Sequence, residues 1–125
     1  MDTERFLTLV AEFAHTDRDG AERATAAVLT TMAEHLSRGE AADLLVRLPP
    51  ELQPYVFAPG SPQKFDVREF VRRVADREGV PAPEAERHAA AVFPVLRQAV
   101  GEDEFADATA QLPREYGPCS PAVRR

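Results

Sequence analysis

The sequence of 125 residues has the length of a single domain, and its 44% hydrophobic and 29% charged residues are typical of a folded globular protein. A net charge of −6 disfavours nonspecific binding to nucleic acid or to an anionic membrane. The single cysteine, Cys119, excludes an intrachain disulfide and a cysteine zinc cage. No apolar run approaches the ~20 residues of a membrane-spanning helix. The acidic start at residues 1–4 does not resemble a signal peptide, so we expect a cytoplasmic protein.

Three helices are predicted in the first half of the chain, because apolar residues recur there at helical spacing. The first helix has an apolar stripe of Phe6, Leu9, Val10 and Phe13. The second, from about Gly20 to Ser37, has a column of Ala24, Val28, Met32 and Leu36. The third, from about Glu40, buries Ala41, Leu44, Leu45 and Leu48, and Pro49-Pro50 ends it. Ser37 has the spacing of a capping box at the start of this third helix.

The next stretch, residues 49–64, contains six proline and glycine residues and is predicted to be neither helix nor central strand. Helix four follows, capped by Asp66, with a stripe of Val67, Phe70, Val71 and Val74. Helix five starts near Pro81 and Pro83 and has the column His88, Val92, Leu96 and Val100. Helix six buries Phe105, Ala108, Thr109 and Leu112 before Pro113, and residues 114–125 are predicted to fray.

The second half repeats the first. With a shift of 64 positions, residues 6–54 align with 70–118 without a gap, and sixteen pairs are identical. Such self-similarity is typical of a duplicated unit. We therefore expect an all-α, six-helix domain of two tandem three-helix repeats related by a pseudo-two-fold axis. Repeat one is placed at about 3–55, the linker at about 56–64, repeat two at about 65–118 and a flexible tail at about 117–125.

A family resemblance follows from the motifs Ala-x-x-Ala-Val-Leu at 24–29, Gly-Glu-Ala-Ala-Asp-Leu at 39–44 and Leu48-Pro49, with related segments at 65–75 and 110–116. From about Phe6 to Tyr116 the sequence resembles the bacterial family of domain of unknown function 2267. The resemblance implies an all-helical tandem-repeat protein with no known activity, cofactor or catalytic residue. Two departures are Tyr55 and Phe57 in place of a linker tryptophan, and Arg47 where the second half has Gln111.

Repeated polar residues are the first candidates for chemistry. Glu40 and Asp43 recur as Glu104 and Asp107, three residues apart at helix starts. Four such carboxylates could frame a divalent cation, but acids in a first helical turn ordinarily complement the helix dipole, which is the preferred interpretation. The repeated Glu22-Arg23 and Glu86-Arg87 pairs are interpreted as interhelix ion pairs, with partner binding as the alternative.

Helix four carries the densest basic stretch, which includes Arg68, Arg72 and Arg73. Such a stripe could receive phosphate or an acidic partner, and a nucleic-acid-associated regulator is one alternative function. Acids at i, i+4 spacing and the absence of interleaved aromatic residues instead favour an ordinary solvated face.

The positions at which the two halves differ are the last candidates. These pairs are Phe13/Arg77, Ala24/His88, Leu29/Phe93, Thr30/Pro94, His35/Ala99 and Ala41/Phe105. His88, Phe93 and Pro94 lie within two turns of helix five, so a pocket is predicted there, although a hydrogen-bonded core histidine and a structural proline kink are the simpler interpretations.

No catalytic motif and no metal or cofactor site is recognised in the sequence. The favoured function is therefore a non-enzymatic interaction module that binds another protein or a second copy of itself. Leu7, Tyr55 and Phe57 lie off the main stripes and could contribute to the contact or fold over the core. A metal- or small-ligand-binding protein is the remaining alternative.

Overall fold

The computed structural model describes residues 1–110, which form six α-helices and one 3₁₀ helix without a strand. The helices are α1 (Thr3–Ala14), α2 (Arg18–His35), α3 (Arg38–Leu45), the 3₁₀ helix (Pro50–Tyr55), α4 (Val67–Glu78), α5 (Ala82–Val100) and α6 (Glu102–Ala110). The predicted all-helical class is confirmed. Helices α4, α5 and α6 begin 64 residues after α1, α2 and α3, respectively. None of the helices in this part of the chain is both long and apolar enough to cross a membrane.

Side-chain caps set the starts of four helices. Each capping oxygen accepts a hydrogen bond from the backbone N–H three residues on, which would otherwise lack a partner. The caps are Asp2 on α1, Asp17 on α2, Ser37 on α3 and Asp66 on α4, at 2.8, 2.8, 3.2 and 3.0 Å. The caps predicted at Ser37 and Asp66 are confirmed. Helix α5 follows Pro81, as predicted, without a side-chain cap.

The long helices α2 and α5 form the centre of the domain. Helix α1 packs on both of them, α4 does the same, and α3 packs on α6. Both predicted columns are confirmed, because Ala24, Val28, Met32 and Leu36 on α2 and His88, Val92, Leu96 and Val100 on α5 are all buried. Phe70 stacks on Phe93 with ring centroids 6.1 Å apart, and Phe105 meets Phe93 edge-on at 6.3 Å.

The predicted apolar face of α1 needs a correction. Phe6 and Val10 are buried, but Phe13 is 45% exposed. Leu7, which lies off the predicted stripe, is buried in the core. The face that α1 presents to α2 and α5 is therefore centred on residues 6, 7, 10 and 14, and Phe13 lies at its edge.

The proline-rich connection is also more ordered than predicted. Pro50 opens a 3₁₀ helix that contains Pro54, where no helix was expected. Proline at the start of a helix loses no backbone hydrogen bond, and short 3₁₀ turns tolerate such sequences. The Thr30 hydroxyl donates to the Tyr55 carbonyl (3.0 Å) and the Gln63 N–H to the Glu34 carbonyl (2.9 Å), so this connection lies along α2.

Helix α2 begins and ends two residues before the predicted bounds, and α5 continues through Pro94. The predictions for Leu112, Pro113 and the tail at 114–125 lie outside the described residues.

Candidate functional site

An apolar cleft lies between the C-terminal end of α1 and the middle of α5. Its volume is about 520 Å³, and it is lined by Glu12, Phe13 and His15 from α1 and its cap and by Arg87, Ala90, Ala91 and Pro94 from α5. We call it the α1–α5 cleft. Among its lining residues, Phe13 is the large apolar side chain that reaches solvent.

The local sequence explains why this surface is open. His15 takes the left-handed conformation (φ 56°, ψ 50°), and α1 ends there with the Thr16 N–H on the Ala11 carbonyl. Phe13 therefore belongs to the last turn of α1, beside α5. The α5 wall is low because Ala90 and Ala91 have small side chains. Pro94 has no N–H to donate to the Ala90 carbonyl, so it adds an apolar ring and removes one helical hydrogen bond.

The rim of the cleft carries charges of both signs. Arg87 on the α5 wall is exposed, and no ion pair involving it occurs within residues 1–110. Glu12 lies on the α1 wall and is also exposed. An unpaired guanidinium beside an apolar recess can bind a carboxylate at little desolvation cost, because both groups keep contact with water.

The edge where α2 meets α4 is built differently. Arg77 donates to Glu34 (2.6 Å) and to the Thr31 hydroxyl (2.7 Å), and Arg73 donates to Glu34 (3.0 Å) and Gln63 (3.1 Å). The hydrogen bonds from Arg77, with those from Arg73, hold the pKa of Glu34 below its usual value. We call Glu34, Arg73 and Arg77 the α2–α4 ion-pair network. Its members neutralise one another's charges.

The arginines predicted on helix four are mostly engaged. Arg72 pairs with Glu69 (2.6 Å) and Asp76 (2.7 Å), and hydrogen bonds from Arg72 and Arg73 lower the pKa of Glu69 to about 2. Arg73 also lies over the Phe65 ring at 4.1 Å. Arg68 is exposed, with no ion pair inside the described part of the chain. The acids beside Arg72 and Arg73 compensate the positive charge that a nucleic-acid surface would need.

His88 forms a buried pair with the end of α4. Its Nδ1 lies 2.6 Å from Glu78 Oε1, and the two side chains are 6% and 2% exposed. Glu84 is 3.8 Å from the other ring nitrogen and half exposed. Burial is the main cause that raises the pKa of Glu78, against the lowering effect of His88. The simpler prediction, a hydrogen-bonded core histidine, describes this geometry.

The structure places the three residues predicted to form a pocket on α5 in different surroundings. His88 and Phe93 are buried in the core, and Pro94 alone reaches the α1–α5 cleft.

The repeated acids lie where α3 packs on α6. Glu104 is 7% exposed and reaches Arg47 at 3.6 Å, while its Oε2 has no hydrogen-bond partner among residues 1–110. Burial, followed by the negative charge of Asp43, raises its pKa, with further repulsion from Asp107 and Glu40. No three histidine, cysteine or carboxylate side chains among residues 1–110 are arranged to hold a metal ion.

The sequence profile of an uncharacterized conserved protein family, DUF2267, matches residues 3–119 of the chain. The chain belongs to this family. The predicted resemblance is therefore confirmed. No curated protein matches the sequence.

Sequence reasoning did not single out Phe13 and Arg87 as a site in this DUF2267 protein. The spacing of Phe13 fits the apolar stripe and predicts a core residue, and the repeated Glu86-Arg87 pair predicts an ion pair. The differences between the halves do point to this site. Phe13/Arg77 and Thr30/Pro94 are two of those differences, and one residue of each pair, Phe13 and Pro94, lines the α1–α5 cleft.

Proposed function

We propose that this DUF2267 protein is a non-enzymatic helical module that binds another protein through the α1–α5 cleft. The single observation that carries the proposal is the 45% exposed Phe13 ring beside the apolar surface of Ala90, Ala91 and Pro94. Aromatic side chains next to an apolar recess are typical anchors of protein interfaces, because desolvating them contributes a large share of the binding free energy.

The rim supports a protein rather than a purely apolar ligand. Charged Glu12 and Arg87 surround the recess, which gives the apolar centre and polar edge of an interface patch. The other edge of the domain lacks this arrangement, because Arg77 lies across α2 and pairs with Glu34 there.

We also propose that the two halves are tandem repeats related by a pseudo-two-fold axis. The 64-residue spacing of the helix starts supports this, as does the packing of α1 and α4 on the same two long helices. In this proposal the duplication supplies the frame, and the differences between its copies supply the binding surface. A bacterial, cytoplasmic setting is part of the proposal, and the family motifs support it.

The test begins with recovery of the tagged protein from its native cells and identification of co-purifying proteins by mass spectrometry. The partner is then purified, and its Kd is measured calorimetrically for the wild type, Phe13→Arg and Phe57→Ser. Phe13→Arg introduces the residue found 64 positions later, at Arg77. Phe57 is 67% exposed and lies outside the cleft, so Phe57→Ser is the matched control.

We expect Phe13→Arg to raise Kd by about tenfold or more, as for an interface anchor, and Phe57→Ser to leave it unchanged. Equal Kd values for the wild type and Phe13→Arg would show that the cleft is not the binding surface. Recovery of the protein alone under several growth conditions, together with a monomeric mass in light scattering, would overturn the interaction module itself. A dimer that Phe13→Arg dissociates would identify the partner as a second copy.

A further inference from the structure

We infer that the α1–α5 cleft binds a segment with an apolar side chain next to a carboxylate, and that Arg87 receives this carboxylate. The inference rests on the proposed function and adds the chemistry of the partner.

Arg87 has no ion-pair partner among residues 1–110. At the corresponding position of the first half, Arg23 lies close enough to Glu78 to lower the pKa of that carboxyl. The residue 64 positions before Glu78 is Ala14, which is fully buried. No acid therefore stands near Arg87 at the position that Glu78 holds near Arg23, and Arg87 lines the cleft without an ion pair from residues 1–110. A carboxylate of a ligand in the cleft would supply the counter-charge of Arg87.

The apolar part of the cleft also supports the inference. Phe13, Ala90, Ala91 and Pro94 form a continuous apolar lining, and the volume of about 520 Å³ is large enough for a leucine or phenylalanine side chain. Since Arg87 lines the same wall as the two alanines, the carboxylate and the apolar group must be neighbours in the ligand. An aspartate or glutamate within a turn of an apolar residue satisfies this requirement.

Glu12 makes the inference more specific. It lies on the opposite wall of the cleft, and its charge repels a carboxylate ligand. Arg87→Gln and Glu12→Gln therefore form a matched pair, since each removes one exposed charge but they change the affinity for an anion in opposite directions.

The experiment uses three small probes that share a phenylpropyl group: 3-phenylpropionate, the neutral 3-phenylpropanol and the cationic 3-phenylpropylamine. Each is titrated into the full chain while the amide chemical shifts of Phe13, Ala90 and Ala91 are followed by NMR. We expect 3-phenylpropionate to bind about threefold to fivefold more tightly than the neutral probe, as for one exposed charge pair, and the amine to bind most weakly.

Arg87→Gln should abolish the preference for 3-phenylpropionate, and Glu12→Gln should increase it. Equal binding of all three probes at the cleft would overturn the acidic partner while leaving the apolar binding site intact. If none of the probes shifts the cleft resonances, the cleft does not accept apolar groups, and the proposed function fails together with this inference.

Discussion

At two edges of the domain, α2–α4 and α1–α5, a shorter helix packs on a longer one, and the side chains at the two edges interact in different ways. At the α2–α4 edge, Glu34 joins Arg73 and Arg77, and the charges satisfy one another. At the α1–α5 edge, the residues 64 positions away are Gln98, Leu9 and Phe13, and no such network can form. The helices begin at corresponding positions in both places, so the difference comes from the side chains and from Pro94 in α5.

This difference predicts that the α2–α4 edge affects the stability of the fold, whereas the α1–α5 edge affects the proposed binding. A network of three partly buried charges is stabilising only while it is complete, because removal of one member leaves the others desolvated without a partner. A half-exposed phenylalanine contributes little to the fold but offers apolar surface to a ligand. We therefore expect changes at the α2–α4 edge to alter the free energy of unfolding, and changes at the α1–α5 edge to alter binding.

Among the polar residues compared between the two edges, the largest effect is expected for His88→Ala, which lies beside the Glu78 carboxyl; the residue that corresponds to Glu78 in the first half is Ala14. The change leaves a 2% exposed carboxyl without its hydrogen-bond partner, which costs about 3 kcal/mol by analogy with other broken buried pairs. Urea unfolding at pH 7 measures it. Glu84→Gln, at a half-exposed residue 3.8 Å from the ring, is the control and should cost less than about 0.5 kcal/mol.

The pH dependence of His88→Ala follows from Glu78. Burial raises the pKa of this carboxyl in the folded state, so its protonated form is favoured by folding and its contribution declines as pH rises through the folded-state pKa. Without His88 the charged form loses its main stabilisation. The deficit of the variant should therefore shrink as the pH is lowered from 7 toward 5, and a constant deficit would contradict this account.

The next effect is expected at the α2–α4 edge itself. Glu34→Gln introduces the residue of the other edge and removes the charge that Arg73 and Arg77 share, at a cost of about 1 to 2 kcal/mol at pH 7. Because the arginines lower the pKa of Glu34, its contribution is present above pH 4.5 and is lost as pH falls through the lowered value. Wild type and variant should thus converge in thermal unfolding as the pH is lowered through the reduced pKa of Glu34, below 4.5.

Much of this architecture follows from sequence periodicity. Columns spaced by four residues place Val28 and Val92 correctly in the core, because a long helix keeps one face against its neighbours over many contacts. Ser37 and Asp66 are predicted correctly as caps, because capping depends only on residues close in the sequence. Phe13 was misplaced because the stripe predicts a helical face but not how far the neighbouring helix covers its last turn. The exposure of Phe13 depends on that coverage, so the proposed binding surface could not be located from the sequence.

Two further features, the His88–Glu78 pair and the burial of Glu104, could not be predicted from helical periodicity because they depend on contacts between helices. The partner of His88 is Glu78, ten residues earlier on another helix, and no local spacing indicates such a contact. The burial of Glu104 depends on the packing of α6 against α3, whereas its counterpart Glu40 remains partly exposed. The two halves of the sequence predict equal environments for these acids, and the fold makes them unequal.

The different environments of Glu104 and Glu40 predict an effect on the free energy of unfolding that is smaller than the effect of Glu34→Gln and opposite in sign. Glu104→Gln should stabilise the protein by about 0.5 to 1 kcal/mol at pH 7, because it removes a buried charge that Asp43 repels. The raised pKa of Glu104 means that the penalty appears only as pH rises through it, so the gain measured by urea unfolding should fade as the pH is lowered toward the ordinary carboxyl value of 4.5. Asp107→Asn, at an exposed neighbour, should change little. A destabilised Glu104→Gln at pH 7 would mean that the Arg47 ion pair outweighs burial.

The smallest effect on the fold is expected for Phe13→Ala, and this prediction decides whether the comparison of the two edges is correct. Phe6 is the matched control, since it is a phenylalanine on the same helix but fully buried. Phe6→Ala should cost about 4 kcal/mol through the cavity it leaves, whereas Phe13→Ala should cost less than about 0.5 kcal/mol, measured for both by urea unfolding. A cost of several kcal/mol at Phe13 would place its ring in the core and leave no apolar surface for a partner. A small cost together with lost binding would separate the two roles, because the residue would then contribute to the interface and not to the fold.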